Sequence, residues 1–328
     1  MGGPWGLGLV IGKFLPPHAG HGLLIETARA GVGRLVVVVC DLPGQPVAAA
    51  RRAGWLREIH PGVEVRVVED IGRDEDSAAW AAYTQRFLGR SPDVVFSSED
   101  YGERWAGELG CHHVLVDRDR GRFPVSGTAV RADPARHWAM LAPCVRAHYV
   151  TRVCLVGAES TGTTTLAGAL AEELGTVWVP EYGRAYSRAK AAGGWPAAWE
   201  TGEFEVIARR QEAEEDEAAR RSGPVLLCDT DALATGIWHE RYLGRRNPEV
   251  EARAAAATAA GRYRLTVLTG DEIPFVDDGL RDGEHLRGAM TGRFRQALTA
   301  AGRPFVEVRG SREERLAAAL AAVGTGPD

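Results

Sequence analysis

The stretch RVCLVGAESTGTTTLAGALAEEL, residues 152–174, restricts the fold more than any other part of the chain. An apolar, β-branched run reads as a strand, a glycine-bounded turn follows, and a helix opens after it. Gly157 and Gly162 have the spacing of a phosphate-cradling P-loop, a geometry that requires a strand, a loop and a helix in that order. Gly157, Glu159, Ser160, Thr161, Gly162, Thr163, Thr164 and Thr165 are therefore expected to hold the phosphates of ATP. One element departs from the pattern: Thr163 stands where a lysine should follow the second glycine. The backbone N–H groups survive that change, and Thr164 still offers a hydroxyl for Mg²⁺. What is lost is a point charge between the β- and γ-phosphates, the kind of donor whose removal costs about 10²-fold in rate. Codon bias does not explain the change. Of the 39 basic residues only Lys13 and Lys190 are lysines, so drift would have put arginine there.

The alternation that surrounds this motif runs through the whole chain and predicts parallel α/β architecture. Strands are expected at 7–11, 35–40, 63–68, 94–97 and 113–116, with helices such as 20–30, 47–59 and 77–88 between them. The pattern restarts near residue 150, with strands at 152–156, 177–180, 225–229, 265–269 and 304–308. Two domains follow, 1–145 and 150–328: a Rossmann-like one, then a P-loop NTPase fold of the nucleoside-kinase type. The net charge of −5 without a basic block leaves no nucleic-acid footprint. No apolar run is long enough to span a membrane, and no leader precedes the first motif. Cys40, Cys111, Cys144, Cys154 and Cys228 lie far apart and read as reduced thiols of a cytoplasmic protein.

The second anion signal is GKFLPPHAGH, residues 12–21. His18 and His21 flank Gly20 where a buried strand turns into a helix. The glycine keeps the backbone close to a ligand, and the helix N-terminus favours an anion. Gly12, Lys13 and Phe14 complete the element. This suits nucleotidyl transfer, in which the attacking phosphate is already an oxyanion and the site must align and neutralise charge. Further on, FPVSGTAVRADP places Ser126, Thr128 and Arg131 at another helix opening, suited to the β- and γ-phosphates. Trp80, Tyr101 and Trp105 are candidate stacking partners for a pyridinium. Glu99 and Asp100 are candidates for ribose hydroxyls.

The pair GKFxPxHxGH and SGTxxR resembles the HxGH nucleotidyltransferases, and VVFSSEDYGERWA narrows the likeness to nicotinamide-mononucleotide adenylyltransferases of the bifunctional NadR type. A pantetheine-phosphate or cytidylyl transferase with an attached P-loop module is the alternative for this half. The second half resembles the ribosylnicotinamide kinase domain of the same family. VPEYGRAYSR carries Glu181, Tyr182 and Arg184, and PVLLCDTDALATG delivers Asp229 and Asp231 from a strand end. GDEIPFVDDGLRDGEHLRG carries Asp277, Asp278, Arg281 and Arg287, which the resemblance places on a lid.

The resemblance implies ATP and Mg²⁺ as co-substrate and cofactor, and nicotinamide mononucleotide and ribosylnicotinamide as partners. NAD is the product, and a homo-oligomer is possible. His18, His21, Lys13 and Arg131 would act in adenylyl transfer. Glu181 or Asp229 would be the kinase base, and Thr164 with Asp229 the metal ligands. Arg184, Arg188, Lys190 or a lid arginine would replace the missing lysine. Otherwise the domain only binds or senses nucleotide. A helix-turn-helix found in some relatives has no counterpart before the first strand, so DNA binding is not expected.

Overall fold

A computed structural model of the chain describes residues 3–73, 75–194, 198–276 and 283–325. The residues divide into two compact units, Met1–Arg146 and Ala147–Asp328.

The first unit is built on five parallel strands, β1 (Trp5–Gly12), β2 (Val32–Asp41), β3 (Glu64–Glu69), β4 (Val94–Ser97) and β5 (His112–Leu115). Helices α1 (Ala19–Gly31), α2 (Ala49–Ile59), α3 (Ser77–Leu88) and α4 (Tyr101–Leu109) connect them. The short α5 (Gly127–Ala132) follows, and the division between units falls within α6 (Pro143–Tyr149). The strand order is β3-β2-β1-β4-β5. Strands covered on both faces carry continuous apolar runs rather than alternation, and Val36 to Val39 of β2 are all fully buried. The chain reverses its direction of winding between β1 and β4, which opens a crevice beyond their carboxyl ends.

The second unit repeats the plan. Its parallel strands are β6 (Thr151–Gly157), β7 (Trp178–Val179), β8 (Val225–Asp229), β9 (Leu265–Thr269) and β10 (Phe305–Val308), in the order β10-β9-β6-β8-β7. The helices are α7 (Thr163–Glu173), α8 (Tyr182–Ala192), α9 (Thr201–Ala219), α10 (Ala232–Leu243), α11 (Pro248–Ala259), α12 (Arg287–Ala300) and α13 (Arg312–Thr325). Its crevice lies where β6 and β8 end side by side, delivering the glycine loop and Asp229 to one place. The strand expected at 177–180 is only two residues long, because Pro180 has no amide to continue the ladder. Both α/β sheets are as the alternation predicts. All five cysteines are free thiols. Among the described residues no helix is long and apolar enough to cross a membrane.

Candidate active sites

In the first unit a cavity of about 890 Å³ opens at the β1–β4 crevice. Every residue expected from sequence in this half lines it: Gly12, Lys13, Phe14, His18, Gly20, His21, Trp80, Glu99, Asp100, Tyr101, Trp105, Ser126, Thr128 and Arg131. His18 occupies the N-cap of α1 in extended conformation without capping it. The two imidazoles stack at 3.8 Å between centroids, and Phe14 packs its edge against His21 at 4.9 Å. A Cβ on Gly20 would meet the His18 ring at 3.2 Å, so the imidazole lies close against the start of the helix. Burial, and after it Arg120, pushes the His18 pKa down to about 4. Burial and the neighbouring His18 hold His21 well below the usual imidazole range. Both rings are neutral at pH 7, with their buried Nδ1 atoms lacking a partner.

The two anion-binding elements are locked together. Arg131 Nη1 donates to the Leu15 carbonyl at 2.5 Å, and its Nη2 lies 3.3 Å from Thr128 Oγ1. A Cβ on Gly127 would sit 2.4 Å from the same Leu15 carbonyl. Ser126 caps α5, accepting from Ala129 N at 3.1 Å. Trp105 lines the cavity but is only 2% exposed and packs into the apolar core under the sheet. Trp80 and Tyr101 remain partly exposed at the wall. Sequence reading missed two cations. Arg120 reaches the cavity from a residue with φ of 52°, paired with Glu99 at 3.5 Å, and Arg104 lines it from α4.

The second unit holds a smaller cavity, about 190 Å³, around the glycine loop. Ser160 (φ 57°) and Gly162 (φ 84°) bend the loop into the anion-cradling turn. A Cβ on Gly157 would fall 2.2 Å from Thr269 Oγ1, so only glycine fits. Gly157, Glu159, Ser160, Gly162, Thr163, Thr164, Thr165, Glu181, Arg184 and Asp229 line the cavity. Thr161 does not. Its buried hydroxyl donates to the Ala158 carbonyl at 2.7 Å and meets Thr269 Oγ1 at 2.7 Å, tying the loop to β9. Arg315 braces the loop from behind, donating to the Thr161 carbonyl at 2.7 Å and to Glu272 at 2.6 Å.

Asp229, 2% exposed, accepts from Thr164 Oγ1 at 2.6 Å. Burial raises its pKa, against the pull of the Thr164 and Thr163 hydroxyls and of Arg184. The hydroxyl of Thr164, next to the threonine that replaces lysine, thus bonds the acid at the strand end. Glu181 sits at the N-cap position of α8, makes no capping hydrogen bond there, and lines the cavity. Aromatic walls come from Trp199, Phe204, Trp238 and Tyr242, none anticipated from sequence.

Four expectations are corrected here. Asp231 does not line the cavity: it is 2% exposed, caps α10 through Ala234 N at 2.9 Å and pairs with buried Arg303. Tyr182 is also off the wall, its amide donating to Gln211 Oε1 at 2.9 Å and its ring beside Tyr186. Lys190 is buried in an ion pair with Glu203 at 2.7 Å, under the Trp199 ring. Arg188 is exposed and lies off the cavity wall. Arg287 donates to the Ser160 carbonyl at 3.2 Å. Arg281, with Asp277 and Asp278, lies outside the described residues. Among the described residues Arg184 is the one basic side chain on the wall, facing the carboxylates of Glu159, Glu181 and Asp229.

Residues 152–315 match the family described as an AAA domain. The trifunctional NAD biosynthesis/regulator protein NadR of Escherichia coli (strain K12) is 28% identical over 297 residues, covering 84% of this chain and 71% of the relative. The protein of the same description from Salmonella typhimurium aligns with the same identity and coverage. Among solved structures, a NadR protein in complex with NR superposes with a TM-score of 0.79 at 20% identity, over 98% of this chain and 96% of that one. Another, in complex with NAD and AMP-PNP, gives 0.74 at 19% identity, over 99% and 96%. At such identities the likeness to the solved structures is one of fold.

Proposed function

Because the chain belongs to the NadR-type family of NAD biosynthesis proteins, its second half an AAA domain, we propose that it runs two consecutive steps of NAD salvage. The first unit transfers adenylyl from ATP to nicotinamide mononucleotide, releasing pyrophosphate. The second phosphorylates ribosylnicotinamide to supply that mononucleotide.

The observation that carries the first activity is the histidine pair, stacked at the mouth of α1 and facing Lys13, Thr128 and Arg131 across one cavity. A mononucleotide phosphate oxygen attacks the α-phosphorus and the bond to pyrophosphate breaks, so no general base is needed. Neutral imidazoles donate hydrogen bonds to the phosphates, while Lys13, Arg120 and Arg131 supply charge to the transition state. Trp80 and Tyr101 face the pyridinium, and Glu99 and Asp100 the ribose.

In the second unit Asp229 is committed to the Thr164 hydroxyl. Glu181 therefore accepts the proton of the 5′-hydroxyl as it attacks the γ-phosphorus. Trp199 and Tyr242 wall the base, and Arg184 stands in for the missing lysine. The set of Thr164 hydroxyl and Asp229 carboxylate fits a hard, oxygen-seeking Mg²⁺ that keeps waters and phosphates as its other ligands. When bound, the ion neutralises charge on the β- and γ-phosphate oxygens.

Thr163 favours one further reading of the second unit, a nucleotide-binding domain that does not transfer phosphate. The test supplies the whole chain with ribosylnicotinamide, ATP and Mg²⁺ and follows ADP and NAD together. Formation of both supports two activities. NAD formed only when the mononucleotide is supplied leaves the second unit as a binding domain. No NAD by either route overturns the proposal, and pantetheine phosphate is the next acceptor to try.

A further inference from the structure

The start of α8 is capped from outside its own helix. The first N–H groups of a helix have no partner within it, and the N-cap side chain commonly supplies one. Glu181 holds that position and makes no capping hydrogen bond. The Tyr182 N–H instead donates to Gln211 Oε1 at 2.9 Å, from a residue 29 positions further on, in α9. Gln211 is fully buried. It continues, at the i, i+3 and i+7 spacing, the face of α9 that carries Phe204 and Ile207 to the cavity wall.

The orientation of this amide is fixed from its other end. Gln211 Nε2 donates to Glu215 Oε1 at 3.5 Å, and Glu215 also accepts from Tyr263 at 2.8 Å and from Arg262 at 3.0 Å. With the amide turned over, its NH2 would face the Tyr182 N–H, donor against donor. The oxygen therefore stays under the first turn of α8. Glu181, Gly183 and Arg184 of the same turn line the cavity. A Cβ on Gly183 would sit 3.3 Å from Glu181 Oε1, so the carboxylate lies close against the helix start. Gln211 thus grips the backbone one residue beyond Glu181.

We infer that Gln211 is a positioning residue for phosphoryl transfer: by capping α8 in place of Glu181, it holds the Glu181 carboxylate at the cavity. Gln211 itself touches no reacting atom. This rests on the reading of Glu181 as the base that accepts the 5′-hydroxyl proton. A carboxylate that bonded the helix amides would be a weaker base, because hydrogen bonds to the charged form favour it. Gln211 takes that contact instead, and one helix start is served by two residues with separate tasks.

The whole chain is assayed for both reactions as wild type, Gln211→Met, Glu181→Gln and the double variant. Gln211→Met keeps the bulk and removes the acceptor. The kcat for phosphorylation of ribosylnicotinamide should fall about tenfold, with the ATP KM and adenylyl transfer unchanged. Glu181→Gln should lower the same kcat about 10²-fold. In that background Gln211→Met should cost nothing further, whereas a merely structural role would cost the same factor again. That second loss, or a Gln211→Met protein with the wild-type kcat, overturns the inference. If Gln211→Met does not fold, the exchange Gln211→Glu with Glu215→Gln keeps an oxygen under Tyr182 and decides instead. A wild-type kcat then supports the inference, and a tenfold lower one in the folded protein overturns it. Glu181→Gln with undiminished kcat, or a chain that phosphorylates no riboside, rejects the base reading and not the positioning. The crystal structure of Gln211→Met then decides: Glu181 shifted from its place against Gly183 retains the role of Gln211, and Glu181 unmoved overturns it.

Discussion

On the activities proposed, the two units solve one problem, holding polyphosphate at a helix mouth beyond a parallel sheet, with opposite allocations of charge. In the first, the loop after β1 is wide, and cations reach it from four places: Lys13, Arg104, Arg120 and Arg131. The cavity, about 890 Å³, has space for two nucleotides to meet. In the second, the loop after β6 is tight, its cavity is about 190 Å³, and Arg184 faces three carboxylates. The first site relies on side-chain charge, the second on backbone N–H groups and hydroxyls. The difference teaches that a glycine loop can keep its shape without its lysine. Thr161, Thr269 and Arg315 hold that shape from behind, and none of them needs the lysine to do so.

The largest effect should come from breaking the first site. Replacing His21 by alanine removes one of the two imidazole donors and opens the stack on His18. Adenylyl transfer should fall about 10²–10³-fold, with phosphorylation of ribosylnicotinamide in the same chain unchanged. Steady-state assays of both reactions check this. Equal loss of both would mean the two sites are not chemically separate.

The second site can be sharpened in both directions. Arg184→Ala should lower phosphoryl transfer about 10²-fold, because it removes the one basic group on the described wall. Thr163→Lys should raise it, by about tenfold, since Arg184 already supplies part of the charge. A Thr163→Lys protein slower than wild type would show that this threonine is tuned to Asp229 and that the site has settled into a different arrangement.

Both glycine motifs were legible because their chemistry is local. Residues a few positions apart on one loop meet whatever the rest of the chain does, and the α/β alternation fixes where such loops emerge. What stayed hidden depends on partners far away in sequence. Lys190 looks available until Glu203 appears beside it. Asp231 resembles Asp229 on paper, but β8 ends at Asp229 and Thr230 takes a φ of 93°. The chain swings there, and Asp231 goes to the cap of α10 and to Arg303. Arg120 belongs to no motif and reaches the histidines only through the loop after β5. Trp199 precedes α9 while Trp238 and Tyr242 lie one turn apart on α10, and they become one wall only when those segments pack together.

The smallest expected effect concerns protons in the first site. His18 has a folded-state pKa of about 4 against the usual 6.5. The unfolded chain therefore binds more protons between those values, and His18's contribution to stability is complete above pH 6.5 and lost as pH falls towards 4. Melting of the wild-type chain should weaken across that window, and His18→Gln should remove part of the slope. ATP works against the cause of the depression, because phosphate oxygens stabilise the imidazolium that burial and Arg120 disfavour. Binding ATP near pH 5.5 should therefore take up protons, measurable by calorimetry in buffers of differing ionisation enthalpy. In the second site, whose wall has no histidine among the described residues, nucleotide binding should carry no comparable uptake. His18→Gln should lower the total uptake, and an unchanged value would mean that the phosphates do not reach this imidazole.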